Sequence, residues 1–194
     1  LNMSLDDYKK IIDEGKEKGL QQVALGGAGN PDEHQNFKEI LEYTSAAGIV
    51  PNYTTAGCSV TDEIAELTKK HCGAVAVSWY RQDYTIEAIN KFLRAGCKTS
   101  IHFVLSRDTI DEAIAALRSN SLFSEPFTDG FGDNIITEVP LKKINAVIFL
   151  MYKPVGLGKQ ELVLDAKKDK KKLTTFFGLL NRQHPFKIGF DSCS

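Results

Sequence analysis

A glycine-rich segment, GGAGNP at residues 26–31, is the part of the sequence best suited to contact a ligand closely. Because glycine has no Cβ, three glycines in four positions let the backbone approach a bound molecule and offer it carbonyl and amide groups. The segment departs from G-x-G-x-x-G and so does not predict a dinucleotide site. Pro31 has no N–H, and Asp32 and Glu33 would repel an anion from the start of a following helix. The segment therefore favours a ligand with a cationic amine over one with a phosphate.

Polar side chains also follow several later apolar segments. Where the strands of a parallel sheet end, the residues that follow them line the ligand-binding edge. The candidate binding residues are accordingly Gly26, Gly27, Ala28, Gly29, Asn30, Thr54, Thr55, Ser78, His102 and Tyr152. Two alternatives stay open: strand ends are polar wherever a chain enters a loop, and a histidine within a strand is often a hydrogen-bonded core residue.

The four cysteines are Cys58, Cys72, Cys97 and Cys193, and no two of them form a CxxC pair. By themselves they define no metal site. Cys72 and Cys97 fall at the ends of predicted helices, where we expect small, buried and reduced thiols.

The overall charge is nearly balanced, with 24 lysines and arginines against 25 aspartates and glutamates. This balance does not favour a nucleic-acid or anionic-membrane partner. No apolar run approaches the roughly 20 residues of a membrane helix, and the first residues lack the pattern of a signal peptide. We expect a soluble, cytoplasmic protein in which residues 1–194 form one domain.

The elements that position these residues follow a repeat of about 26 residues, in which an amphipathic helix alternates with a short apolar strand. Helices are predicted after Ser4, from Asn30, after Thr61, around Ile86 and from Thr109. The helix from Asn30 carries Phe37, Ile40, Leu41 and Thr44 on one face, and Glu112 completes a capping box with Thr109. Strands are predicted at Gln21–Gly26, Ile49–Thr55, Ala74–Trp79, Thr99–Leu105, Asn145–Tyr152 and Phe186–Phe190.

Two segments interrupt or end this repeat. Residues 120–140 are too long for an ordinary connection and predict an insertion or a lid. The lysine-rich stretch 167–172 predicts the solvated start of a last helix. Repeated β/α units with right-handed crossovers allow either a closed or partial barrel or an open doubly wound sheet.

Five segments, taken in order, resemble the radical SAM enzymes over essentially the whole chain. LGGAGNP at 25–31 resembles the motif that holds the methionine amino group of S-adenosylmethionine, with Ala28 and Gly29 at its usual acidic position. PNYTTAG at 51–57 resembles the next strand end, and AVAVSW at 74–79 the strand whose last polar residue, here Ser78, contacts the ribose. KTSIHFVLS at 98–106 and INAVIFLMYKPVGLG at 144–158 resemble the strands that border the adenine.

The resemblance implies a partial TIM-like (β/α)6 barrel of parallel strands and a parent protein that uses S-adenosylmethionine and a [4Fe-4S] cluster. In that family a CxxxCxxC loop after the first strand holds the iron–sulfur cluster, and the bound cofactor is cleaved to a 5′-deoxyadenosyl radical. The sequence has no CxxxCxxC and begins with the helix that would follow it. We therefore expect a fragment without the first strand, which does not bind the cluster, is inactive as given, and self-associates through an open sheet edge. The closing GFDSC at 189–193 resembles enzymes that continue into a cysteine-rich extension. Two roles stay open for Cys193: a cluster ligand or hydrogen-atom donor in such a parent, or an ordinary terminal thiol.

Two other functions stay open. One is a phosphate-handling TIM-barrel lyase or aldolase with Lys153 as its amine, and the other is a non-catalytic α/β module that binds a partner through residues 120–140. The substrate, a small molecule or a peptide, is not predicted.

Overall fold

The computed structural model describes residues 3–27, 29–128, 134–156 and 158–190. Six α-helices are numbered in chain order: α1 Leu5–Glu17, α2 Phe37–Ala46, α3 Asp62–His71, α4 Asp83–Arg94, α5 Ile110–Ser119 and α6 Lys170–Leu180. The strands are β1 Gln22–Leu25, β2 Val50–Thr55, β3 Ala74–Ser78, β4 Thr99–Leu105, β5 Ser121–Phe123, β6 Phe127–Thr128, β7 Asn134–Ile135, β8 Glu138–Pro140, β9 Ala146–Met151 and β10 Lys187–Phe190. Within the described residues, no helix has both the length and the apolar character needed to cross a membrane.

The main sheet contains six parallel strands in the order β1-β2-β3-β4-β9-β10. Gln22 lies opposite Val50 and Asn52 opposite Ala74, while Lys187 lies opposite Ala146. Every strand of the sheet was predicted from its apolar run, with each end correct or shifted by one residue. The six parallel strands confirm the α/β class.

The chain divides into two compact units, one formed by Leu1–Tyr80 with Tyr84–Ser100 and the other by Arg81–Asp83 with Ile101–Ser194. The division falls within strand β4. That residues 1–194 form one domain stays a prediction.

The first unit is built around the inner faces of α1, α2 and β2. Ser4 caps α1 by accepting the Asp7 N–H at 3.1 Å, as expected. One turn apart on that helix, Tyr8 and Ile12 are buried together with Ile40 and Ile49. The spacing of the apolar residues in α1 and α2 thus determines which faces of the two helices are buried against each other.

The second unit has an aromatic core. Phe149 of β9 packs edge-to-face against Phe103 of β4 and Phe176 of α6, with ring centroids 5.6 and 5.0 Å apart. All three rings are essentially inaccessible to solvent. Phe177 and Phe190 extend this cluster to the surface, where both are about half exposed.

Residues 120–140 interrupt the β/α repeat as predicted, but they contain strands rather than a plain loop. Strands β5 and β8 pair antiparallel, as do β6 and β7. Asn120 ends α5 in the left-handed conformation, with φ 54°, which asparagine adopts more readily than most residues. Residues 129–133 lie outside the described part.

One predicted helix start is wrong, and one predicted cap does not form although α5 begins after Thr109 as predicted. Pro31–Glu33 forms a separate single 3-10 turn, because His34 returns to an extended backbone and α2 begins only at Phe37. The expected Thr109–Glu112 capping box does not form. The Thr109 hydroxyl instead donates to the Val104 carbonyl at 2.7 Å, and Glu112 pairs with Arg81. Thr61, by contrast, caps α3 by accepting the Ile64 N–H at 3.2 Å.

The start of α6 is built around two aspartates. Asp165 accepts the Lys167 and Lys168 N–H groups at 2.9 and 2.7 Å, which holds these lysines in a turn before the helix. Asp169 occupies the capping position but makes no side-chain cap. Its carboxylate pairs instead with the Arg107 guanidinium at 3.1 Å. Helix α6 therefore begins at Lys170 with lysines in an uncapped first turn.

Candidate functional site

The glycine turn that follows β1 borders a cleft of about 680 Å³ in the first unit. Gly26, Gly27, Gly29 and Asn30 line it together with side chains of α1 and α2. A Cβ added at any of the three glycines would meet no other atom within 4 Å. These glycines are therefore not required by close packing, and open space lies beside their backbone.

Asn30 fixes the end of this turn. Its side-chain oxygen accepts the Ala56 N–H at 2.8 Å, which joins the turn to the segment that follows β2. Its amide nitrogen donates to Oε1 of Glu33 at 3.0 Å, and the Ser59 hydroxyl donates to the same oxygen at 3.1 Å. Asn30 thus positions both the backbone and an acidic side chain of the cleft.

The charge character of the cleft is acidic to neutral. Among the described residues that line it, the ionisable side chains are those of Tyr8, Glu33 and His34. His34 accepts the Asn36 N–H on Nδ1 at 3.1 Å. A neutral His34 therefore carries its proton on Nε2, where the ring can donate a hydrogen bond. With neither lysine nor arginine among these residues, the cleft is poorly suited to a phosphate.

Asp32 lies in the same turn but is buried, with 6% of its surface exposed. Neither carboxylate oxygen has a hydrogen-bond partner among the described residues. Burial raises the pKa of Asp32, while the neighbouring Thr55 hydroxyl offsets part of this rise and the Glu33 charge adds a smaller one. The sequence in front of α2 thus places two carboxyl groups side by side, one buried and one at the cleft.

The end of β2 supplies the predicted residues Thr54 and Thr55. Thr54 is half-buried, whereas Thr55 is buried and its hydroxyl accepts the Gly57 N–H at 3.0 Å. Gly57 has φ 90°, and a Cβ there would lie 2.8 Å from the Ala88 side chain. Both the left-handed backbone and the close approach of α4 therefore require glycine at this turn.

The other predicted residues end other strands. Ser78 closes β3 in the first unit and is half-buried. His102 in β4 and Tyr152 after β9 belong to the second unit, and both are half-buried. The Tyr152 hydroxyl accepts the Lys159 N–H at 2.6 Å. Ala28 lies outside the described residues, and the convergence of all ten residues on one ligand stays a prediction.

Glu33, His34 and Tyr8 line the cleft, although none was among the predicted site residues. Glu33 was noticed only as a charge that disfavours anions. The position of Glu33 directly after the glycine turn is the sequence signal that could have predicted it as a site residue. Tyr8 carried no such signal, because its spacing in α1 indicates only a buried helix face.

Cys58, Cys72 and Cys97 do not line this cleft. Cys58 is exposed, Cys72 is half-buried and Cys97 is buried, with its thiol donating to the Ala65 carbonyl at 3.3 Å. Burial raises the pKa of Cys72 to about 12 and that of Cys97 to about 11. No three histidine, cysteine or acidic side chains of the described part are grouped to hold a metal ion. These side chains do not fit a cluster bound by three thiolates, and Asp191 and Cys193 lie outside the described residues.

Sequence comparison found no relative: no protein-family model and no curated protein matches the chain. Solved structures do match it. SuiB of Streptococcus suis bound to S-adenosylmethionine superposes with a TM-score of 0.68 at 15% identity, over 97% of this chain and 43% of SuiB. The protein anSMEcpe with bound AdoMet gives 0.70 at 13% identity, over 97% of this chain and 55% of that one.

The chain shares its fold with these S-adenosylmethionine-bound proteins. At such low identity the likeness shows the fold alone, and it supports the predicted partial TIM-like (β/α)6 architecture. SuiB also matches in a structure bound to its precursor peptide SuiA, with a TM-score of 0.68 over 100% of this chain. The chain spans about half the length of these proteins or less.

Proposed function

We propose that this chain is the S-adenosylmethionine-binding barrel of a radical SAM enzyme. The observation that carries the proposal is the glycine turn after β1, which opens on a cleft lined by an acid and lacking lysine and arginine among its described residues. The shared fold with two proteins that bind the same cofactor supports it, and so do the strand-end motifs that resemble this family.

The glycine turn would hold the amino acid end of the cofactor. Backbone carbonyls of Gly26, Gly27 and Gly29 are hydrogen-bond acceptors suited to an ammonium group, and Asn30 keeps the turn in place through Ala56. By resemblance, Ser78 would contact the ribose, and His102 and Tyr152 would lie near the adenine. The roles of these three residues and of Ala28, Thr54 and Thr55 rest on the sequence motifs.

The chain's own part in the chemistry would be binding and orientation. When bound together, S-adenosylmethionine and a [4Fe-4S] cluster supply the radical chemistry of such enzymes. Because the sequence contains no CxxxCxxC, we propose that this chain is a fragment which is inactive alone and that the cluster ligands belong to its parent protein. Two matched structures hold peptides, and we accordingly propose a peptide substrate. We also propose a cytoplasmic location.

Isothermal titration with S-adenosylmethionine tests the proposal. The matched variants are Gly26→Val, which places a side chain beside the cleft where space is open, and Gly178→Val, in helix α6 of the second unit. We expect Gly26→Val to weaken binding at least about tenfold, because the side chain blocks the backbone from the ligand. Gly178→Val should leave binding unchanged.

Two outcomes would favour the other functions. Binding of inorganic phosphate without binding of S-adenosylmethionine would support a phosphate-handling lyase or aldolase. A melting temperature that neither compound changes would support a partner-binding module. For that module the insertion offers Phe123 and Ile136, which are 46% and 57% exposed.

A further inference from the structure

Cys72 and Cys97 line the same pocket, which has a volume of about 180 Å³ and lies in the first unit. The pocket is formed where α3 leads into β3 and α4 leads into β4, at the edge of the sheet where the strands begin. The Val75 N–H donates to the Lys98 carbonyl at 3.0 Å, which brings the starts of the two strands together. Two thiols that are distant in sequence therefore share one small pocket.

Backbone hydrogen bonds hold both cysteines in place. The Cys72 N–H donates to the Thr68 carbonyl at 2.9 Å, and the Cys97 N–H donates to the Phe92 carbonyl at 2.8 Å. Solvent has limited access to either side chain, since Cys97 is buried and Cys72 is half-buried. A ligand that bonds to both sulfurs would thus require little reorganisation of the chain.

The atoms that line the pocket favour a soft cation over a hard one. The described lining residues contribute two sulfur atoms and no carboxylate. The Thr68 hydroxyl is already engaged, because it donates to the Ile64 carbonyl at 2.7 Å and bonds to the Tyr53 hydroxyl at 2.6 Å. Soft sulfur ligands select Cu(I), whereas Ca²⁺ and Mg²⁺ take oxygen ligands. Two thiolates also fall short of the four ligands of a structural zinc site.

Two lysines suit the charge that such a complex would carry. A monovalent cation bound by two thiolates has one net negative charge. Lys69 and Lys98 both line the pocket, and the Lys69 ammonium is fixed there because it donates to the Gly96 carbonyl at 2.8 Å. Burial raises the pKa of Cys97 to about 11, and the Lys69 charge offsets part of this rise. A lysine beside the thiol thus favours the deprotonated sulfur that binds a metal.

We propose that Cys72 and Cys97 form a two-coordinate binding site for Cu(I). The ion forms one bond to each sulfur, and both thiol protons pass to solvent. Two neutral thiols and one monovalent cation thus give a complex with one net negative charge and two protons, and no electron is transferred. None of the residues of this pocket lines the cleft after β1, so the inference does not depend on the proposed function.

Competition with the chromophoric Cu(I) chelator bicinchoninate, under anaerobic and reducing conditions, tests the site. The unaltered chain should withdraw one Cu(I) per chain from the chelator. For Cys72→Ser and for Cys97→Ser we expect the affinity to fall at least about a hundredfold, because a single thiolate cannot complete the site. Serine keeps a hydroxyl that can donate to the Ala65 carbonyl, the present partner of the Cys97 thiol.

The chain offers matched controls in its other two cysteines. Cys58 is exposed and does not line the pocket, so Cys58→Ser should bind Cu(I) as the unaltered chain does. Cys193→Ser should do the same. Circular dichroism of each variant without copper shows whether it is folded.

A second measurement needs no variant. Cu(I) bound to the unaltered chain should prevent alkylation of Cys72 by iodoacetamide, since a thiolate held by a metal is not a free nucleophile. Alkylation of Cys58 should continue. Mass spectrometry of the digested chain compares the two positions.

The opposite results would overturn the inference. Cu(I) affinity that is retained in either Cys72→Ser or Cys97→Ser would show that the two sulfurs do not act together. Loss of affinity in Cys58→Ser or Cys193→Ser would place the ion elsewhere, and so would equal alkylation of Cys72 with and without copper. An unaltered chain that leaves all Cu(I) on the chelator would show that the site does not exist.

Discussion

The side-chain oxygen of Asn30 accepts the backbone N–H of Ala56 across 26 positions of sequence. This 2.8 Å hydrogen bond joins the turns that follow β1 and β2. It makes the geometry of the cleft depend on a tertiary contact rather than on the glycine segment alone.

Asn30→Ala should therefore affect stability and binding together. Removal of the acceptor leaves a partly buried N–H unpaired, at a cost of about 1–3 kcal/mol in the free energy of unfolding. Binding of S-adenosylmethionine should fall as well, because the glycine turn loses its link to the segment after β2. Urea unfolding and titration measure the two effects. Asn90→Ala, an exposed position of α4, is the control, and an equal response of both variants would contradict the role of Asn30.

Asp32 should make stability depend on pH. The pKa of Asp32 in the folded chain is raised above the ordinary value of 3.8. As the pH rises, the unfolded chain therefore loses this proton at a lower pH than the folded chain does. The free energy of unfolding should consequently fall as the pH rises from 3.8 through the raised pKa. Asp32→Asn cannot ionise, so it should flatten this dependence. Relative to the unaltered chain, its free energy of unfolding should be more favourable at pH 7 than at low pH.

Urea unfolding over a pH series measures the slope for the unaltered chain, Asp32→Asn and Glu14→Gln. The Glu14 variant should follow the unaltered chain, since its carboxylate is exposed. A slope that Asp32→Asn leaves unchanged would show that this carboxyl does not control the pH dependence.

Phe149 should be among the most sensitive positions of the second unit. Phe149→Ala removes a ring that is 1% exposed and packed against Phe103 and Phe176, which should lower the free energy of unfolding by about 3–5 kcal/mol. Phe177→Ala is the matched control, because that ring is 51% exposed and should cost far less. Denaturant midpoints compare them, and similar losses would argue against the aromatic core.

The outer edge of β1 should promote weak self-association. Strand β1 pairs with β2 and ends the order of the main sheet among the described residues, and an unpaired strand edge is a template for another strand. Sedimentation at rising concentration should detect dimers, and Gln22→Lys, with a charge on this edge, should reduce them. Gln21→Lys, one residue before the strand, is the control. A monomer at all concentrations would contradict the expectation.

The sequence patterns predicted the elements well because their signals are local. The helix face with Phe37, Ile40, Leu41 and Thr44 is buried as its spacing indicated. The caps Ser4 and Thr61 make the expected bonds because their partners lie three residues away.

The failures share a different cause, which is competition from partners outside the predicted cap. Asn30 was expected to start α2, but its side chain binds Ala56 instead. Thr109 and Glu112 fit a capping box by spacing, yet the Val104 carbonyl and Arg81 are their partners. Glu33 had a local signal in its position directly after the glycine turn, but the hydrogen bond from Ser59, 26 residues further along the chain, had none.

The uncapped start of α6 makes that helix sensitive to dissolved ions. Lys170 and Lys171 sit exposed at the end of the helix where the backbone dipole already repels positive charge, and the carboxylate of Asp169 is engaged with Arg107. Added salt screens this repulsion, and small anions can occupy the vacant amide positions as an external cap. At Lys170 and Lys171, ionic strength should thus act in the opposite sense to its effect on a surface ion pair such as Lys172–Asp111, by stabilising the start of the helix.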